Sequence, residues 1–176
     1  MSSNRKAVQQ AHEHAVLAAA VAEHNRITGG ALKVTQRPDP PDAILSDGVT
    51  TTWMELTDAF FSPEWAKDIV GFAADQVHRP MEAGLYMDMD AQLARAFCDI
   101  VRQKAAKTSY QAFINCYGPG VLVVGLESPW LDEEIVEEID REWREQGSPD
   151  VSQTFSHIYL GFRDSNGNFA RLWKKY

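Results

Sequence analysis

Val121-Leu122-Val123-Val124 is an unbroken apolar run set between Gly118-Pro119-Gly120 and Gly125. A run so short, β-branched and bounded by glycines reads as a strand covered on both faces. A strand buried that way must lie inside a sheet flanked by helices. The chain has 176 residues, 44% of them hydrophobic. That is enough apolar material for one core of ordinary size, and too much for a disordered chain. No internal repeat or low-complexity linker divides it. The expectation is a single α/β domain over residues 1–176, with a central mixed sheet and packed helices.

The other elements follow from periodicity and punctuation. Lys6 to about Ile27 reads as an alanine-rich helix stopped by Gly29-Gly30. Val8, Ala15, Val16, Ala19 and Ile27 share one arc of it, and His12 and Glu23 fall inside that arc. Ala31 to Thr35 is a short extended candidate, and Arg37 to Pro41 cannot be helical. Ala43 to Leu45 and Val49 to Phe60 read as two strands joined at Asp47-Gly48. Alternation along the second places Trp53, Glu55 and Thr57 on one face, with Met54, Leu56 and Asp58 on the other. Ser62 and Pro63 open a helix expected to reach about Val77, and another fits Asp90 to about Thr108. Leu131 to Arg144 is amphipathic, with Ile135, Ile139 and Trp143 inward and an acidic outer face. His157 to Phe162, Asn166-Gly167 and Phe169 to Trp173 complete a terminal hairpin.

Composition removes several function classes. The longest apolar helical stretch, Leu17 to Ala22, is far short of the roughly 20 residues needed to span a bilayer. It is also too short for a signal-peptide core, so a cytoplasmic protein with no membrane partner is expected. Cys98 and Cys116 alone cannot build a disulfide framework or a four-cysteine zinc site. Cys98 is expected in the core, and Cys116 as a buried loop thiol. His12 and His14 diverge on a helix, and His24, His78 and His157 show no ligand spacing. A formal charge of −8 opposes a grip on nucleic acid over the whole surface.

The stretch that carries chemistry is Pro41-Asp42, a strand, a turn, then Glu55-Leu56-Thr57. A hairpin returns Glu55 close to Asp42, and two carboxylates can share one hard divalent cation. Such a cation activates water for attack on phosphorus and stabilises the leaving oxygen. Trp53 and Thr57 flank Glu55 on the same face, where Trp53 is positioned to line a pocket.

These residues resemble the PD-(D/E)XK nuclease superfamily, whose pattern is Pro-Asp, a variable gap, then acid, any residue, and lysine. The order of elements from about Lys6 to Gly125 is also similar: a leading helix, three strands, a helix and a further apolar strand. Residues 126–176 then read as an extension with a helix and a hairpin. The resemblance implies a restriction-endonuclease-like αβββαβ core, Mg²⁺ or Mn²⁺ as cofactor, and DNA or RNA as substrate. It implies metal ligation by Asp42 and Glu55, with Glu23 of the leading helix as a further acidic ligand. Thr57 stands where the family has its lysine. Some members supply that lysine from a neighbouring helix, and here Lys104 falls on the apolar arc of Leu93, Phe97, Ile100 and Val101. Asp42, Glu55 and Lys104 are then the expected catalytic residues, and Thr57, Arg37, Lys107 and Trp53 the substrate-facing ones. The alternative is a catalytically inactive member of the same fold, used as a binding or assembly module, with a homodimer left open. Much of the acidic excess lies on the Leu131–Glu145 segment, so the surroundings of the candidate site are near charge balance.

Overall fold

The computed structural model describes residues 2–62, 88–128, 131–162 and 170–176, with residues 2–12 and 170 described by backbone only. In chain order its elements are helix α1 (Ser2–Thr28), strands β1 (Lys33–Gln36), β2 (Ala43–Ser46) and β3 (Thr51–Phe60), and helix α2 (Met89–Ala105). A 3₁₀ turn (Thr108–Tyr110) leads into helix α3 (Gln111–Tyr117). Strand β4 (Gly120–Glu127), helix α4 (Ile135–Glu145) and strands β5 (Phe155–Gly161) and β6 (Ala170–Lys175) follow. The helix expected from Pro63 to Val77 and the turn at Asn166-Gly167 lie outside the described residues.

The six strands among the described residues form one sheet in the order β1-β2-β3-β4-β5-β6. The first three are antiparallel neighbours, β3, β4 and β5 run parallel, and β6 returns antiparallel. The chain is therefore a single α/β domain with a mixed sheet. The segment after residue 125, which reads as an extension in sequence, supplies two of those strands and a helix packed on α2.

The β3-to-β4 and β4-to-β5 connections advance the sheet in the same direction. Right-handed crossovers of that kind place their helices on one face. The packing agrees: Phe97 and Val101 of α2 and Ile135 and Ile139 of α4 share a core with Trp53, Leu122, Val124, Ile158 and Leu160. The opposite face is covered by α1, whose Leu17, Ala20 and Val21 pack on Met54, Val121, Val123 and Tyr159. Leu122 and Val124 thus face one layer and Val121 and Val123 the other, which accounts for the unbroken run. The stripe that α1 buries is offset from the one its sequence suggests. Leu17, Ala20, Val21 and His24 are buried, whereas Ala15 is exposed and Val16 only half-buried. Alanine contributes so little to a helical hydrophobic pattern that the true stripe is set by the larger side chains meeting the sheet. Among the described residues, no helix is long and apolar enough to cross a membrane.

Two details correct the local reading. Cys116 is exposed on α3, and only Cys98 is buried, where its Sγ faces the Ile139 carbonyl at 3.8 Å. Trp53 is fully buried among Tyr110, Phe113 and Phe155, and its Nε1 donates to Gly118 O at 2.9 Å. Gly120 makes room for it, because a Cβ there would fall on the indole ring. Gly120→Ala is expected to cost about 1–3 kcal/mol through overpacking. In urea unfolding the midpoint should drop with an unchanged slope, and an unchanged midpoint would contradict this packing.

Candidate functional site

The site begins where β2 and β3 part. Their ladder ends with Ala43 opposite Met54, and continuing that register by one residue sets Asp42 opposite Glu55. The Leu56 N–H lies beyond the last β2–β3 pairing, and Asp42 Oδ2 accepts it at 2.7 Å. The carboxylate thus finishes a hydrogen-bond ladder that the departing strand leaves incomplete. Asp42 is half-buried and its pKa lies above the ordinary value. Burial is the main cause, opposed by the Leu56 N–H, with Glu55 raising it further and Lys104 lowering it.

Glu55 sits mid-strand on the face that α2 covers, and is only 5% exposed. Lys104, in the last turn of α2, donates from Nζ to Glu55 Oε1 at 2.5 Å. The pair is shielded, with side-chain exposures of 16% for the lysine and 6% for the glutamate. A lysine on the apolar face of a helix needs such a carboxylate, because an unpaired charge there is expensive. Glu55 Oε2 is buried and has no hydrogen-bond partner among the described residues, and the same holds for the hydroxyl of Tyr110. Tyr110 lies close enough for Glu55 to reinforce burial in raising its pKa. Its ionisable neighbours Glu55 and Asp42 come from β3 and from the residue before β2, so nothing in the local pattern around Thr108-Ser109-Tyr110 marks it.

The remaining expected residues are placed as follows. Thr57 is half-buried on the same face as Glu55, paired in register with Val124. Lys107 is exposed just beyond α2, with Nζ 5.9 Å from the centre of the Tyr110 ring. Arg37 is exposed in the loop after β1. Trp53 does not line a pocket, since its indole is fully enclosed and its Nε1 is engaged. Glu23 does not join Asp42 and Glu55. It makes a two-pronged pair with Arg26 at 2.7 Å on α1, near Tyr159, and the sheet separates it from the Lys104 face.

Asp42 and Glu55 fit a Mg²⁺ or Mn²⁺ ion in kind and number, because such ions are commonly held by one or two carboxylates plus substrate phosphate and water. The unpartnered Glu55 Oε2 is the oxygen such an ion would satisfy. Among the described residues, no group of three or more His, Cys, Asp or Glu side chains is placed to hold a metal. The arrangement therefore offers two carboxylates with a lysine between solvent and core.

A second polar cluster lies on the α1 face. His24 Nδ1 is 2.8 Å from the Tyr159 hydroxyl, and the rings of His24 and His157 are 4.9 Å apart, edge to face. Burial, with help from His157, lowers the His24 pKa to about 4. His157 is lowered as well, by burial first and then by Lys175. Sequence spacing missed this pair because the two histidines sit on a helix and a strand that meet only in the fold. The i, i+3, i+4, i+7 series Leu17, Ala20, Val21, His24 is the one signal that points to it.

No protein-family model, curated protein or solved structure matches the chain.

Proposed function

We propose that this protein is a divalent-metal-dependent phosphodiester hydrolase of the PD-(D/E)XK type, acting on DNA or RNA. The observation that carries the reading is the ion pair from Lys104 to Glu55, beside an Asp42 one register step away. It supplies two acids and a lysine in one place although the motif position holds Thr57. Asp42 and Glu55 hold Mg²⁺ or Mn²⁺, which when bound lowers the pKa of water and offsets charge on the leaving oxygen. Lys104 orients the attacking water and balances the carboxylates. Arg37 and Lys107 are exposed cations available to phosphate, and with a net charge of −8 the grip on substrate is local.

Cleavage of labelled DNA and RNA oligonucleotides should require Mg²⁺ or Mn²⁺. Lys104→Met is expected to lower the rate about 100-fold or more, as removal of a group that handles a proton in the transition state does. Glu55→Gln should abolish it. Metal-independent cleavage, or cleavage that survives in Glu55→Gln, would overturn the assignment.

One observation favours the inactive-module reading instead. Lys104 already neutralises Glu55, and no third acid joins the pair among the described residues. Under that reading no Mn²⁺ binds. Saturable Mn²⁺ binding lost in Asp42→Asn would decide for the hydrolase.

A further inference from the structure

The His24–His157 pair opens onto a cavity of about 340 Å³ between the end of α1, the β2–β3 turn and β5. Exposed residues Thr28, Gly30 and Asp47 are among those at its wall, so it is reachable from solvent. The hydrogen bonds around it fix how His157 carries its proton. Ser156 Oγ donates its only proton to Gly120 O at 3.0 Å. The contact between His157 Nδ1 and Ser156 Oγ, also 3.0 Å, must then be a donation from the imidazole. A neutral His157 protonated on Nδ1 has a bare lone pair on Nε2, and that atom is buried with no hydrogen-bond partner among the described residues. A desolvated, unpaired acceptor is costly, so it calls for a ligand.

We propose that His157, through Nε2, and His24 form a binding site for a borderline divalent transition-metal ion of the Zn²⁺, Ni²⁺ or Co²⁺ kind. Imidazole nitrogen suits these ions better than it suits Mg²⁺. Each ring is held at Nδ1 by a hydroxyl, Tyr159 for His24 and Ser156 for His157. Outer partners of that kind orient metal-binding histidines and leave Nε2 for the ion. The cavity lies alongside the pair, so a small shift of the rings admits the ion and its waters to Nε2, and two protein ligands make this a modest, exchangeable site. It lies on the α1 face, across the sheet from Asp42 and Glu55, and is independent of any phosphodiesterase activity.

The test is calorimetric titration of the full chain with ZnCl₂, together with visible absorption on adding CoCl₂. One-to-one binding is expected, unaffected by excess Mg²⁺ and accompanied by shifts of the His24 and His157 ring signals in NMR. His157→Gln should remove it. Ser156→Ala, which keeps both rings, should weaken it about 10-fold or more. No saturable binding, or equal affinity in wild type and Ser156→Ala, overturns the site. Should His157→Gln fail to fold by circular dichroism, the Ser156→Ala comparison and the ring shifts decide alone.

Discussion

Lys104→Met should destabilise the protein by about 3 kcal/mol, the low end of the range for removing one partner of a buried ion pair. Glu55 is 5% exposed, and Lys104 Nζ donates to its Oε1. Without the lysine a carboxylate is left in a low-dielectric layer beside Asp42, whose charge opposes it. The lysine side chain keeps some water contact at 16% exposure, which is why the upper end of the range is not expected. The double variant Glu55→Gln/Lys104→Met removes both charges together and should recover much of the loss. Urea unfolding of the wild type, both single variants and the double variant measures the coupling. A single-variant loss below about 1 kcal/mol would mean that the pair behaves as a solvated surface bridge.

The second large effect is acid destabilisation through His24. Its pKa is lowered from 6.5 to about 4 in the folded protein, first by burial and then by His157. The unfolded chain therefore takes up a proton below about pH 6.5 that the folded protein refuses until about pH 4. Stability from His24 is complete above pH 6.5 and is lost progressively as pH falls towards 4. At about 1.4 kcal/mol per pH unit the loss approaches 3 kcal/mol. His157 acts in the same direction, and Tyr159, Glu23 and Arg26 are the other polar groups nearby. Asp42 acts oppositely. Its raised pKa favours the folded state at low pH, and that contribution fades as pH rises through the folded value. Urea midpoints between pH 7 and pH 4.5, measured in EDTA, should fall steeply for the wild type and less steeply for His24→Gln. Parallel curves would show that His24 is protonated in the folded protein.

These two effects sit on opposite faces of one sheet, and they differ in how visible they are in the chain. Glu55 and Lys104 are legible because each breaks a strong local pattern. Glu55 interrupts an apolar stretch of β3, and Lys104 lies on the arc of Leu93, Phe97 and Val101. Two charges on surfaces that must both be buried have few ways to be satisfied except by each other. Glu23 and Trp53 depart from their expected places for a related reason. In an alanine-rich helix the arc cannot be located to within a residue, so Glu23 fell inside it although its partner is Arg26 on the same helix. Trp53 shares Glu55's face by alternation, but alternation does not say how deep a side chain lies. Tyr110, Phe113 and Phe155 enclose it, and two of these come from the 3₁₀ turn and α3 that the sequence reading missed.

By itself the sequence determined the α/β class, the bounds of its strongly periodic elements to within a few residues, and which acid and which lysine stand out against apolar surroundings. Those depend on period, turn residues and the cost of burying charge, all of which act locally or between strongly marked positions. Only the tertiary structure decided which helix covers which face, and that Asp42 completes the ladder at Leu56 N–H. It alone brought His24 beside His157, and left Glu55 Oε2, Tyr110 Oη and His157 Nε2 without hydrogen-bond partners among the described residues. Each of these depends on how distant segments meet across the sheet, and hydrogen-bond satisfaction is a property of that meeting rather than of any stretch of chain.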